Sequence, residues 1–272
     1  MNEGRGGLAA LMGSRSQILR SLIRSLTRGM VIKRRLPAQF ANAPLFVAPD
    51  SQLKYLKPGV AAFDLNLLRI AQEFVRPDMA VWDVGANVGV FSIAAASLVK
   101  SGRVLAIEPD PWLAGLLRRS AALQENAARP IEVLQAAISD TDGVTRLRIS
   151  AQGRASNQLD LPGVSVSATA GSVRNTELVA TLTLDTLLQC ERAPGLVKID
   201  VEGAERLVLS GATRLLSQVR PILYMEVWPQ SQPEITALLV KNGYALFDGA
   251  RPRESRAALP SCVMDTLALP TA

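Results

Sequence analysis

A chain of 272 residues, 48% of them apolar and only 4% aromatic, can bury an aliphatic core in one large domain or in one domain with appendages. It has no histidine, which excludes a Ser-His-Asp triad, a histidine general base and a histidine-ligated metal; its two cysteines, Cys190 and Cys262, are far apart and outline neither a disulfide framework nor a zinc site, so a reducing, cytoplasmic setting is expected. The net charge of +6 comes from one end: residues 1–35 hold eight basic side chains against Glu3, the remainder 22 basic and 23 acidic, so the domain itself is not expected to bind nucleic acid.

In residues 1–35, Leu8, Leu11, Met12, Leu19, Leu22, Ile23, Leu26 and Met30 fall at helical spacing, with Arg20, Arg24 and Arg28 in a row beside them. Arginines interrupt any apolar run of membrane-spanning or signal-peptide length. The arm is read as an amphipathic helix packed on the domain with its arginines exposed. A peripheral helix on anionic lipid, or a handle for an acidic partner, is the alternative. Residues 36–78 read as a connector. Pro37, Pro44, Pro49 and Pro58 punctuate short strands, and a leading helix runs from about Val60 to Val75, stopped by Pro77.

From 79 to 272 strands and helices alternate. "MAVWDVG" is a strand and "VGVFSIAAASLVK" a helix; "GRVLAIEP" is a strand and "DPWLAGLLRRSAALQEN" a helix, with Asp110 as N-cap and Pro111 at its first position. "IEVLQAAI", "TRLRIS" and "ELVATLTL" are strands, the last two flanking the Ser/Gly-rich residues 150–176. "GLVKIDVEG" is a strand, "AERLVLSGATRLLS" a helix, "RPILYMEVW" a strand, "PEITALLVKNG" a helix, and "YALFD" and "CVMDTLAL" strands. Short apolar strands alternating with amphipathic helices indicate an α/β domain with a largely parallel sheet covered on both faces. Ligands of such sheets gather outside the C-terminal strand ends. Asp83, Glu108, Ala137, Asp200 and Glu226 all fall at or near such ends.

The first turn, "VWDVGANVGVFS", raises the question of its ligand. Gly85 permits a tight turn and Gly89 lets the helix approach the sheet. A dinucleotide cradle would carry another glycine where Asn87 stands. Asp83 adds a carboxylate, unsuited to a pyrophosphate and suited to a cationic ligand. Asn87 accepts a left-handed backbone and brings an amide. Glu108, about 20 residues on, stands where an acidic side chain meets ribose hydroxyls. A nucleoside with a cationic tail, such as S-adenosylmethionine, fits this set. NAD(P) is the competing ligand.

"VWDVGANVGVFS", "VLAIEPDP", "AAISDTDG", "TLTLDTLL", "LVKIDVEGAERLVLSGATRLL" and "PILYMEV", in that order over Val81 to Val227, resemble the FkbM-type family of S-adenosylmethionine-dependent methyltransferases. The resemblance implies a Rossmann-like class I methyltransferase fold: a seven-stranded, mostly parallel sheet whose last strand, "CVMDTLAL", is antiparallel. It implies O-methylation of a hydroxyl on a small metabolite or sugar, so a small-molecule or glycan acceptor. Asp83 would then face the methionine amino group, Gly85, Asn87 and Gly89 shape the pocket, Glu108 hold the ribose, and Ala136 and Ala137 offer backbone groups near the adenine. Asp110 reads better as an N-cap than as an adenosine contact. Asp140 and Asp142 read as a turn, with Asp140 within reach of the pocket.

"KIDVEGAE" carries the acid–base chemistry. Lys198, Asp200 and Glu202 share one side of an extended segment. A hydroxyl acceptor needs its proton removed, so Asp200 and Glu202 are the base candidates, with Lys198 as orienter; a plain ion pair is the simpler account of the lysine. Glu205 suits the N-terminus of the next helix. Glu226 stands on the acceptor side; a divalent ion held by Asp200, Glu202 and Glu226 is chemically conceivable, but no metal is assigned. Residues 150–176 read as a lid, with Ser156 and Asn157 toward substrate hydroxyls. The other readings are an NAD(P)-dependent oxidoreductase on a related fold and a non-catalytic binding protein.

Overall fold

The computed structural model describes residues 22–162, 164 and 172–271. Leu8, Leu11, Met12, Leu19 and Arg20 lie outside the described residues. Residues 22–26 form a helical turn. Arg28 is exposed there as expected, but Leu22, Leu26 and Met30 are exposed too, Leu26 at 83%. Ile23 is half-buried, and so is Arg24, which lies against the loop at Gly153. The expected arrangement, leucines inward and arginines outward, therefore does not hold over this part of the arm.

Residues 36–78 are not a spacer. β1 (Ile32–Arg35) and β2 (Pro44–Val47) form an antiparallel hairpin. Leu36, Phe40, Leu45, Val47 and Tyr55 are buried in the same core as the helices that follow. Two 3-10 turns, Leu53–Leu56 and Gly59–Ala62, lead into α1 (Leu65–Phe74), whose N-cap Asp64 accepts from the Asn66 N–H.

The alternating region follows: β3 (Ala80–Val84), α2 (Val90–Leu98), β4 (Arg103–Ile107), α3 (Pro111–Ala121) and β5 (Ile131–Leu134). Next come β6 (Ala137–Ile138), β7 (Gly143–Ser150), β8 (Gln158–Leu159), β9 (Val173–Leu182) and α4 (Leu184–Leu187). The chain then makes β10 (Leu196–Ile199), α5 (Glu205–Ser210), β11 (Ile222–Glu226), α6 (Gln232–Lys241), β12 (Tyr244–Asp248), β13 (Ala258–Leu259) and β14 (Asp265–Pro270).

The main sheet runs β13-β12-β14-β11-β10-β3-β4-β5. β5, β4, β3, β10 and β11 are mutually parallel; β14 enters antiparallel between β11 and β12. This is the class I methyltransferase arrangement that the sequence implied, with "CVMDTLAL" as the antiparallel strand. The expected seven strands are joined by an eighth, the two-residue β13 at the β12 edge. One face carries α1, α2 and α3 with the β1–β2 hairpin; the other carries α4, α5 and α6. Because side chains alternate along a strand, Trp82 and Val84 face the second core while Asp83 faces the first.

Two elements break where the sequence reads as continuous. "IEVLQAAI" divides after Leu134, and β6 leaves the main sheet to pair with β9 in a second sheet ordered β6-β9-β7-β8. The helix "AERLVLSGATRLLS" ends at Ser210; Gly211 then passes so close to the Ser139 carbonyl oxygen that a Cβ would stand 2.3 Å from it, and a π-turn follows at Leu215–Val219.

Candidate active site

The chain steps outward from β3 to β5 and returns at β10 beside β3. The crevice of such a sheet opens at this switch point. A cavity of about 110 Å³ lies there. Its walls include Gly85, Asn87, Glu108, Ala136, Ala137, Asp200, Glu202 and Glu226, so the sequence-predicted residues of five strand ends meet at one place.

Gly85 and Gly89 are both in the left-handed region, at φ +75 and +85. A Cβ on Gly85 would stand 1.8 Å from the Asp200 carbonyl oxygen, so glycine here lets the turn touch the end of β10. Gly89 makes room not for the sheet, as expected, but for α3: a Cβ there would meet Leu117 Cδ1 at 2.0 Å. Asn87 also has a left-handed backbone, at φ +54. Its Oδ1 accepts from Ser51 Oγ at 2.6 Å and from the Val88 N–H at 2.8 Å, so its carbonyl end serves the turn and the connector.

Glu108 stands on the wall with both oxygens held: Oε2 accepts from the Asn87 N–H at 2.7 Å and Oε1 from the Asp110 N–H at 2.8 Å. Burial raises its pKa to about 7, against those hydrogen bonds. Asp110 is the N-cap of α3, as expected, accepting from the Trp112 and Leu113 N–H groups. Its other oxygen receives Arg154 and Asn157 Nδ2, so it also ties down the small sheet.

Of the expected contacts, Asp83, Gly89, Lys198, Asp140 and Ser156 are absent from the cavity wall. Asp83 is fully buried beneath α2, accepting from Ser92 Oγ at 2.5 Å and standing 3.1 Å from Lys198 Nζ, its register partner across β3 and β10. Its strand-interior position faces α2, off the cavity wall. Asp140 is exposed and bonded within its own turn, while Asp142 accepts from Thr183 and Thr186 at the start of α4. In the expected lid, Arg154, Ala155, Asn157 and Leu159 reach the wall and Ser156 does not. Asn157 is spent on Asp110 and on the Ser150 N–H; residues 163 and 165–171 lie outside the described residues.

Lys198 is a tie. Its Nζ donates to the Gly85 carbonyl at 2.7 Å and stands 3.6 Å from Asp200 Oδ2. Burial works against its charge, yet Asp83 and Asp200 hold the ammonium above the ordinary lysine range. Alternation of the segment ends after Asp200, because Glu202 takes a left-handed backbone at φ +51. Burial, then the Asp200, Glu226 and Glu205 carboxylates, push Glu202 to about 9, so it carries a proton at neutral pH. Burial and the Asp200 and Asp265 carboxylates bring Glu226 to about 7. Among the described residues no group of three or more Asp, Glu or Cys side chains is arranged to hold a metal ion.

Glu205 is fully buried; its Oε1 accepts from the Gly203 N–H at 2.8 Å, as expected of a helix N-terminus, and burial raises it to about 7. A carboxyl whose folded pKa exceeds its unfolded value contributes stability that is complete below the unfolded pKa and is lost as pH rises through the folded one. The stability of the protein relative to Glu205→Gln is therefore expected to fall between about pH 4.5 and 7, measured by urea unfolding of both; parallel profiles would refute the buried, proton-binding carboxyl.

Sequence reasoning missed Gln52 and Arg154, both on the cavity wall. Arg154 Nε stands 3.2 Å from Asp50, and its guanidinium lies 4.7 Å over the Trp112 ring. No fixed motif spacing links these residues, since they come from the connector and the small sheet. No helix among the described residues is long and apolar enough to cross a membrane.

The chain is 27% identical over 177 residues to a hexuronic acid methyltransferase, AglP, of Haloferax volcanii, covering 64% of this chain and 66% of that protein, just under two thirds of its length. It is 40% identical over 77 residues to a ribosomal protein L11 methyltransferase of Pelotomaculum thermopropionicum, covering 28% of this chain and 24% of the relative. A solved structure of methyltransferase FkbM from Methylobacillus flagellatus superimposes with a TM-score of 0.46 at 17% identity, over 81% of this chain and 57% of that one. The methyltransferase FkbM domain matches residues 83–246, more than half of the chain, which sets aside the oxidoreductase reading. The chain belongs to the FkbM family of methyltransferases, with S-adenosylmethionine as cofactor.

Proposed function

We propose that the chain transfers a methyl group to a hydroxyl of a small hydroxylated molecule, in particular a sugar. The observation that carries the proton-transfer part is the placement of Asp200. It follows the last residue of β10, its side chain is one-third exposed, and it lines the cavity beside Lys198. The hexuronic acid methyltransferase relative supports a sugar acceptor.

The residues fit the cofactor. Gly85 keeps open a turn that a Cβ would close, and Glu108 presents a carboxylate to ribose hydroxyls at the end of β4. Bound there, S-adenosylmethionine supplies a methyl group on a sulfonium. Everything else falls to the chain: orienting the acceptor, excluding water and accepting a proton. Asp200 is the base in this reading. Glu226, at about 7, is placed to share the proton, and Glu202, protonated at neutral pH, donates a hydrogen bond instead of acting as the second base.

Asp200→Asn is expected to lower kcat by about 10²–10⁴, the range for a positioned base, while S-adenosylhomocysteine still binds. Turnover is followed as labelled methyl transferred from S-adenosylmethionine to a panel of hexuronic acids and neutral sugars. Wild-type kcat in the variant would remove Asp200 from the chemistry, and transfer to no hydroxyl in the panel would remove the sugar reading.

A further inference from the structure

Across the first turn lies a second, smaller cavity. Gln52, Asn87 and Asp200 line both cavities, so the two adjoin at this point. The smaller one is walled by Lys54 from the 3-10 turn Leu53–Leu56 and by Asp64, the N-cap of α1. Lys54 Nζ stands 3.4 Å from Asp64 Oδ2, with the two side chains 29% and 44% exposed. Such a partly exposed pair adds little to stability, so its charges can be re-partnered at little cost. Gln52 Oε1, at the junction, is buried and has no hydrogen-bond donor among the described residues.

The wall of the smaller cavity carries Lys54 with Asp64 and Lys198 with Asp200; Lys198 is taken up by Asp83 and the Gly85 carbonyl, which leaves Lys54, Asp64 and an acceptor that awaits a donor to meet a zwitterion. We propose that this cavity receives the amino-acid end of S-adenosylmethionine, with the carboxylate on Lys54 and the ammonium on Asp64 and Gln52. The assignment rests on the larger cavity holding the adenosine. Two observations favour it. Asp83, to which the sequence assigned the ammonium, is sealed beneath α2. Arg154, the cation on the wall of the larger cavity, is engaged by Asp110 and Asp50, so it does not serve the carboxylate. Lys54 and Asp64 both precede the matched family region, which begins at residue 83.

The test is calorimetry of the full chain with two ligands: S-adenosylhomocysteine, and 5′-methylthioadenosine, which keeps the nucleoside and sulfur but lacks the amino-acid end. Lys54→Met and Asp64→Asn, the latter retaining a good N-cap, are each expected to weaken S-adenosylhomocysteine by about tenfold or more, the scale of one hydrogen bond to a charged group. Methylthioadenosine affinity stays unchanged, and Lys54→Arg restores most of the binding. Unchanged S-adenosylhomocysteine affinity, including the case in which only an acceptor's KM moves, overturns the proposal, as does an equal loss of both ligands. A wild-type chain that binds neither ligand instead overturns the cofactor reading beneath it.

Discussion

Replacing Gly85 by alanine is expected to destabilise the protein by about 3 kcal/mol or more and to abolish cofactor binding. Two costs add. A non-glycine residue held in the left-handed region costs roughly 1–3 kcal/mol. The new Cβ would also lie 1.8 Å from the Asp200 carbonyl oxygen, a backbone atom fixed by the end of β10. Relief would need β3 and β10 to separate, and the Gly85 carbonyl that receives Lys198 would move with the turn. Gly115 is the control. It sits within α3 with open space where a Cβ would be, so Gly115→Ala is expected to stabilise by about 0.5–1 kcal/mol. Urea midpoints measure both; a Gly85→Ala variant within about 1 kcal/mol of wild type would contradict the close approach.

The second large effect belongs to Lys198. Removing it in Lys198→Met leaves Asp83 buried with only the Ser92 hydroxyl, and breaking a buried pair from one side costs about 3–5 kcal/mol. Adding Asp83→Asn is expected to recover most of that loss, because the uncompensated charge is then gone. Recovery in the double variant identifies Lys198 as the counter-ion of the buried Asp83. A Lys198→Met protein of unchanged stability but without turnover would return it to a direct catalytic role.

The parallel core was legible because β3, β4, β10 and β11 are short apolar runs with Asp83, Glu108, Asp200 and Glu226 at or near their C-terminal ends. Asp110 was legible as a cap because proline follows it directly. What escaped was set by contacts distant in sequence. The division after Leu134 depends on β6 finding β9, over 30 residues away, while the run itself stays apolar. The close approach of Gly211 to Ser139 likewise joins residues distant in sequence. Asp83 looked like a ligand group because it sits beside the turn, but its burial depends on which face α2 covers. The left-handed Glu202 interrupted an alternation that residue types alone suggested would continue. Gln52 and Lys54 lie among prolines in a stretch that reads as a connector, and only the packing of Tyr55 and Phe40 into the core brings that stretch against the first turn.

The placement of β14 has a consequence for how the molecule is made. β11 and β12 are joined through α6, yet they do not pair with each other; each pairs with β14. While the chain is being synthesised, both strands can form before residues 265–270 exist, but they must then wait with unpaired edges. Glu226 is in register with Asp265, so this wall of the cavity closes only once β14 has formed. A ribosome that stalls before Asp265 would leave a half-built sheet with two open edges, the kind of intermediate that recruits chaperones or pairs with a neighbouring chain.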